Sequence, residues 1–195
     1  MGQSVFPPAA SGPTLSEITT AGTSAGWGAT KGADITWTQL SYTSPSATSV
    51  TFSSLSGYKY YRVVVRFAST SGDQGLRLRI NSDSSSNNYN YYGTELLNTN
   101  ALQYTFSFGT DGIYLGRTNN NNNFVDAIIS NADQSNMLKN ITADYQCYDS
   151  GWKSGTVKGN YHGSGAVTSI TLRSESGGTY NPQGSPYGFY LFGGN

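Results

Sequence analysis

The chain has 195 residues, of which 36% are hydrophobic and only 11% charged, with 24 Gly and 15 Tyr. Eleven basic residues balance eleven acidic ones, so no cationic excess is available to neutralise phosphates, and a nucleic-acid partner is disfavoured. A domain of this length buries roughly 70% of its unfolded surface without help from disulfides or metals. Its low charge and abundant Tyr, Ser, Thr, Asn and Gly suit a β-rich protein rather than a disordered one.

The first residues, "MGQSVFPPAASG", lack both a basic start and a continuous apolar run. Nothing further along reaches the roughly 18 apolar residues of a membrane helix, so a soluble chain made in a cytoplasm, without membrane insertion, is expected. Cys147 is the only cysteine, which rules out an intrachain disulfide. Residues 1–33 are rich in Pro, Gly and small residues and read as an extended arm. Val5, Phe6, Leu15, Ile18 and Trp27 are its scattered anchors. A disordered tail is the plainer reading. A purely solvating tail has no need of Phe6 and Trp27, so the arm is expected to order against a partner.

From Asp34 to Asn195 strands dominate. "DITWTQLSYT", "TSVTFSSL" and "YKYYRVVVRFA" are dense in β-branched and aromatic residues. In the third, Val63, Val65 and Phe67 share one face while Arg62 and Arg66 share the other. Leu76, Leu78 and Ile80 alternate in the same way with Arg77 and Arg79. That period of two is what one buried and one wet face require. Further strands are predicted at 89–97, 102–108, 112–117, 123–131, 139–148, 155–162, 167–174 and 187–193, with turns at Ser56-Gly57 and Asp111-Gly112. All six prolines lie outside 46–181, as central strands demand. The expected fold is all-β: an antiparallel β-sandwich, jelly-roll-like, behind an extended N-terminal arm.

The stretch "RINSDSSSNNYNYY" carries three competing readings. Asn81, Asp83 and Ser85 alternate as the first ligands of a calcium loop do, but such a loop needs a bidentate Glu where Tyr92 stands. The interval 81–88 is therefore predicted to be a polar turn, its side chains satisfying turn amides. Asn88, Tyr89, Asn90, Tyr91 and Tyr92, with the loop at 119–124, could bind a glycan through ring stacking and amide hydrogen bonds. Strand filling by alternate tyrosines competes with that reading.

Catalysis finds little support. Cys147 and His162, the sole members of their types, match no nucleophilic signature in "ADYQCYDSG" and "NYHGSG". Asp126, Asp144, Asp149 and Glu175 are too scattered to pair as hydrolase carboxylates. One His and one Cys do not make a zinc site. Neither enzyme activity, cofactor nor metal is predicted.

The order "TFSSLSGYKYYRVVVRFA", "GLRLRINSDSSSNNYNYYG", "FVDAIISN" and "AVTSITLRSESGGTYNPQGSPYGFYLFG" resembles a β-sandwich module recurrent in bacteriophage virion proteins. The likeness spans about 48–193 and rests on short structural motifs; Ser82 stands where the module usually has the Gly of "NGD". It implies a virion component, either a capsid decoration protein or part of a head fibre, tail fibre or baseplate. Its partners would be other virion proteins and copies of itself, a trimer by analogy, and its location the virion. No catalytic residue is carried over. A carbohydrate- or host-receptor-binding module of a phage appendage is the alternative.

Overall fold

A computed structural model describes residues 35–69, 74–99, 101–118, 123–148, 151–175, 177–181 and 187–195. The chain divides into two units, Met1–Ile35 and Thr36–Asn195. The expected arm, with Val5, Phe6, Leu15, Ile18 and Trp27, lies outside the described residues.

The second unit is a two-sheet, antiparallel β-sandwich. Its strands are β1 (Trp37–Thr43), β2 (Ser49–Phe52), β3 (Tyr60–Ser69), β4 (Gln74–Ile80), β5 (Tyr89–Leu96), β6 (Leu102–Thr110) and β7 (Ile113–Thr118). These are followed by β8 (Asn123–Ser130), β9 (Lys139–Tyr148), β10 (Trp152–Tyr161), β11 (Ile170–Ser174), β12 (Tyr180–Asn181) and β13 (Gly188–Gly194). The large sheet runs β1-β13-β3-β8-β9-β10-β5-β6, with the short β12 also on β3, and the small sheet runs β2-β11-β4-β7. Strand β7 packs across β9 and β10 and so ties the two sheets together.

Alternation in the sequence becomes burial in the fold. Along β9, Ile141, Ala143, Tyr145 and Cys147 face inward while Asn140, Thr142, Asp144 and Gln146 face out. Val63, Val65, Phe67, Leu76, Leu78 and Ile80 are fully buried in one core shared by both sheets. A leucine or valine buried this way stabilises the fold by about 1.5–3 kcal/mol over an exposed one, so the pairing register is strongly fixed.

Several boundaries depart from the sequence reading: β10 begins at Trp152 rather than 155 and β6 ends at Thr110 rather than 108, and two further departures have a cause in the hydrogen bonds and packing. The strand expected from 167 begins at Ile170. Asn81 accounts for this, because its side-chain oxygen accepts from the amides of Thr168 (2.7 Å) and Ser169 (3.2 Å) and holds them out of the ladder. Strand β12 was not foreseen. Only two residues long, it is held by Tyr180, whose ring packs against both Phe67 (4.8 Å) and Phe189 (5.2 Å), themselves stacked on each other, while its amide donates to the Ala47 carbonyl.

Candidate functional site

The 81–88 interval is a turn, and its hydrogen bonds account for its composition. Asn81 and Ser82 have φ of 55° and 56°, and the Asp83 amide donates to the Ile80 carbonyl (3.0 Å), closing a turn with two left-handed residues. Asp83 Oδ1 accepts from the Ser85 amide (2.7 Å), and Oδ2 accepts from the Asn88 side chain (2.6 Å) and the Tyr161 hydroxyl (3.0 Å). Burial pushes the Asp83 carboxyl pKa up, but these donors outweigh burial and hold it below the ordinary value. Burial, helped by the bond to Asp83, pushes Tyr161 up to about 12. The Tyr89 hydroxyl accepts from the buried Ile80 amide (3.0 Å) and reaches the carbonyls of Asp83 (2.9 Å) and Ile80 (3.2 Å).

The five residues expected at a glycan site are therefore divided. Tyr89 and Tyr91 point into the core at 0% and 7% exposure and offer no ring to a surface ligand. The parity of β5 explains this: Asn90, Tyr92, Thr94 and Leu96 occupy its outer face. Only Tyr92 exposes its ring, at 59%. Asn88 is spent on Asp83, and the Asn90 amide lies 3.1 Å from His162 Nε2. Residues 119–122 lie outside the described residues, and Asn123 opens β8 as a buried residue whose amide donates to the Phe67 carbonyl.

The remaining reactive groups do not converge. Cys147 is buried at one end of β9 opposite Lys153, whereas His162 follows Tyr161, which pairs with Lys139 at the other end. Nine strand positions separate Cys147 from His162, about 30 Å. Asp126 is bound through both oxygens by Arg62 (2.8 and 2.5 Å). On the small sheet's outer face, Asp111 holds Arg77 (3.3 Å), Arg173 (3.0 Å) and Arg79, and Glu175 holds Arg77. Asp149 lies outside the described residues. Among the described residues, no three His, Cys, Asp or Glu side chains gather to hold a metal, and no helix is long and apolar enough to cross a membrane.

What does converge is on the outer face of the large sheet. Register sets Leu102 beside Leu96, Leu96 beside Ser154, Ser154 beside Gln146, and Gln146 beside Phe124. One step along, Thr94, Thr156 and Asp144 form a second row. Together they line a shallow depression of about 400 Å³. A second depression of about 600 Å³ shares Leu96, Gln146 and Ser154 and extends to Trp152 and Lys153. Trp152 is 65% exposed and meets Tyr148 edge-on, with ring centroids 5.5 Å apart.

Beneath the depression the floor is braced. The Tyr145 ring lies between Gly116 of β7 and Gly155 of β10; a Cβ on Gly155 would come 2.6 Å from that ring and 2.5 Å from the Thr94 carbonyl oxygen. The Tyr145 hydroxyl donates to the buried Glu95 carboxylate (2.9 Å), whose other oxygen meets Arg117 at 3.3 Å. Burial, with Tyr114 and Glu95 adding to it, drives the Tyr145 pKa well above the ordinary phenol value, so this hydroxyl stays a fixed donor.

Fold and face together define an all-β sandwich with an open, mixed aromatic and polar depression carried on rigid strands. No family model, no curated protein and no solved structure matches the chain.

Proposed function

We propose that the chain is a structural component of a bacteriophage virion, a capsid decoration protein or part of a head or tail fibre, working without a reactive centre of its own. Residues 1–33 attach it to other virion proteins, and the sandwich projects from that attachment. The observation that carries the reading is the path of the chain through the sheets. It alternates small sheet (β2), large (β3), small (β4), large (β5, β6), small (β7), large (β8) and small (β11), with the β9–β10 hairpin added to the large sheet. Setting aside that hairpin and the strands β1, β12 and β13, the remaining β2-β11-β4-β7 and β3-β8-β5-β6 resemble the order of a jelly roll, an architecture used by viral capsid and lectin domains, and this supports the reading. The motif likeness over 48–193 supports the same reading.

Other features are consistent with a building piece. The described ion pairs tie strands and turns together, and the chain is electrically balanced. An arm that orders on binding must overcome about 2–5 kcal/mol of ordering cost, which burial of Val5, Phe6, Leu15, Ile18 and Trp27 would supply. The test is assembly of particles with a chain lacking residues 1–33. Loss of the protein from particles while the sandwich stays folded is the expected result. Full occupancy without the arm would sink the attachment model.

A further inference from the structure

We propose that the outer-face depression running across β6, β5, β10, β9 and β8 is a binding site for a neutral carbohydrate. This goes beyond the virion reading and does not depend on it.

The first observation is the state of Trp152. An indole left 65% exposed at a strand end forfeits burial, yet Tyr148 props it edge-on and so orients it. A fixed aromatic face beside a concavity is suited to the C–H face of a sugar ring. Leu96 and Leu102, both exposed, continue the apolar wall.

The second observation is the polar lining. Among the described residues, the side chains of Thr94, Asp144, Gln146, Ser154 and Thr156 are left unengaged by the protein. Hydroxyls and a carboxamide both donate and accept, and the carboxylate accepts. A ring of sugar hydroxyls needs that mixture around an apolar centre. A wholly apolar partner would bury these groups unpaired, at a cost, and the lining therefore argues against one. They sit on β5, β9 and β10 rather than on loops, above the braced Tyr145 floor, so the site is formed before any ligand arrives.

Charge selects the class of sugar. Asp144 and Lys153 are the only charged residues lining the two depressions among the described residues, and they cancel. Neither a sialylated nor a sulfated glycan gains from such a site. The combined space falls within the range of small-ligand sites and is open enough for a chain of sugar units to lie across it.

The full-length protein should be screened against an array of neutral and anionic oligosaccharides. The best binder would then be titrated by tryptophan fluorescence and calorimetry. Saturable binding to neutral members is expected, weakened roughly tenfold by Trp152→Ala and by Gln146→Ala at unchanged urea midpoint. Should Trp152→Ala fail to fold, Gln146→Ala and Ser154→Ala carry the test. The proposal is overturned if nothing binds at millimolar concentration, if only anionic glycans bind, or if the variants bind as the parent does. It is also overturned if the protein binds no sugar and Trp152→Ala converts a sedimenting oligomer to monomer, because a second copy then covers this face.

Discussion

Replacing Tyr89 by Phe removes one oxygen from the turn that closes β4 onto β5 and keeps the ring that packs on Tyr161 at 4.9 Å. The lost hydroxyl is the acceptor for the Ile80 amide, a donor buried with a fully buried side chain. Leaving that donor unsatisfied costs about 1–3 kcal/mol. The two carbonyls that shared the hydroxyl add less, since the Ile80 oxygen still accepts from the Asp83 amide. A loss near 2 kcal/mol is expected, or about 4–8 °C in Tm for a domain of this size. Urea unfolding should show a lower midpoint with the slope unchanged. Tyr92→Phe is the internal control: three positions along the same strand, it lies on the open face and should move stability by no more than about 0.5 kcal/mol. If the two variants unfold at the same urea concentration, the hydroxyl does not anchor this turn and the account given for the 81–88 composition is wrong.

Three further outcomes follow from the same geometry. Ser82→Gly should stabilise by roughly 0.5–1 kcal/mol in urea melts, because relief of a left-handed φ of 56° exceeds the extra unfolded-state entropy of glycine; a destabilised variant would count against strain at this position. The Asp83 pKa is depressed in the folded state, so its contribution is present above the unfolded carboxylate pKa and disappears as pH falls through the folded value. Asp83→Asn should therefore be less stable than the parent at pH 7, with the gap narrowing steadily as pH falls below the ordinary carboxylate pKa of about 4; a gap that does not change with pH over that range would contradict the carboxylate's role. Gly155→Ala drives a methyl into the Tyr145 ring and the Thr94 carbonyl, and should cost about 1–3 kcal/mol by thermal melt, whereas Gly165→Ala, whose Cβ would meet open space, should pay only for its backbone angle.

Most of the fold was legible because burial is decided by parity, and parity is written locally. Val63, Val65 and Phe67 against Arg62 and Arg66 announce a strand without knowledge of any neighbour. What was not legible depends on partners distant in sequence: Asn81 delaying β11 from almost ninety residues away, and Tyr180 made a strand residue by two phenylalanines. The depression was invisible for the same reason. Leu102, Leu96, Ser154, Gln146 and Phe124 come from five strands, and only the register makes them neighbours. The run "YNYY" drew attention because it is contiguous, yet alternation sends two of its three tyrosines inward. The signal that could have pointed to the outer face was the other half of each strand: Thr94 and Leu96, Asp144 and Gln146, and Ser154 and Thr156 recur at spacing two with no charge pattern of a plain solvated surface.

The pairing of Trp37 with Gly194 has a geometric consequence. It fixes the start of the sandwich at the row that runs through Tyr60, Ser130, Asn140 and Asn160. Ser154 lies six positions further along its strand and five strands across, a diagonal of roughly 30 Å. Trp152, two positions beyond Ser154, thus lies diagonally opposite Trp37 across the large sheet, so contacts made at one leave the other clear.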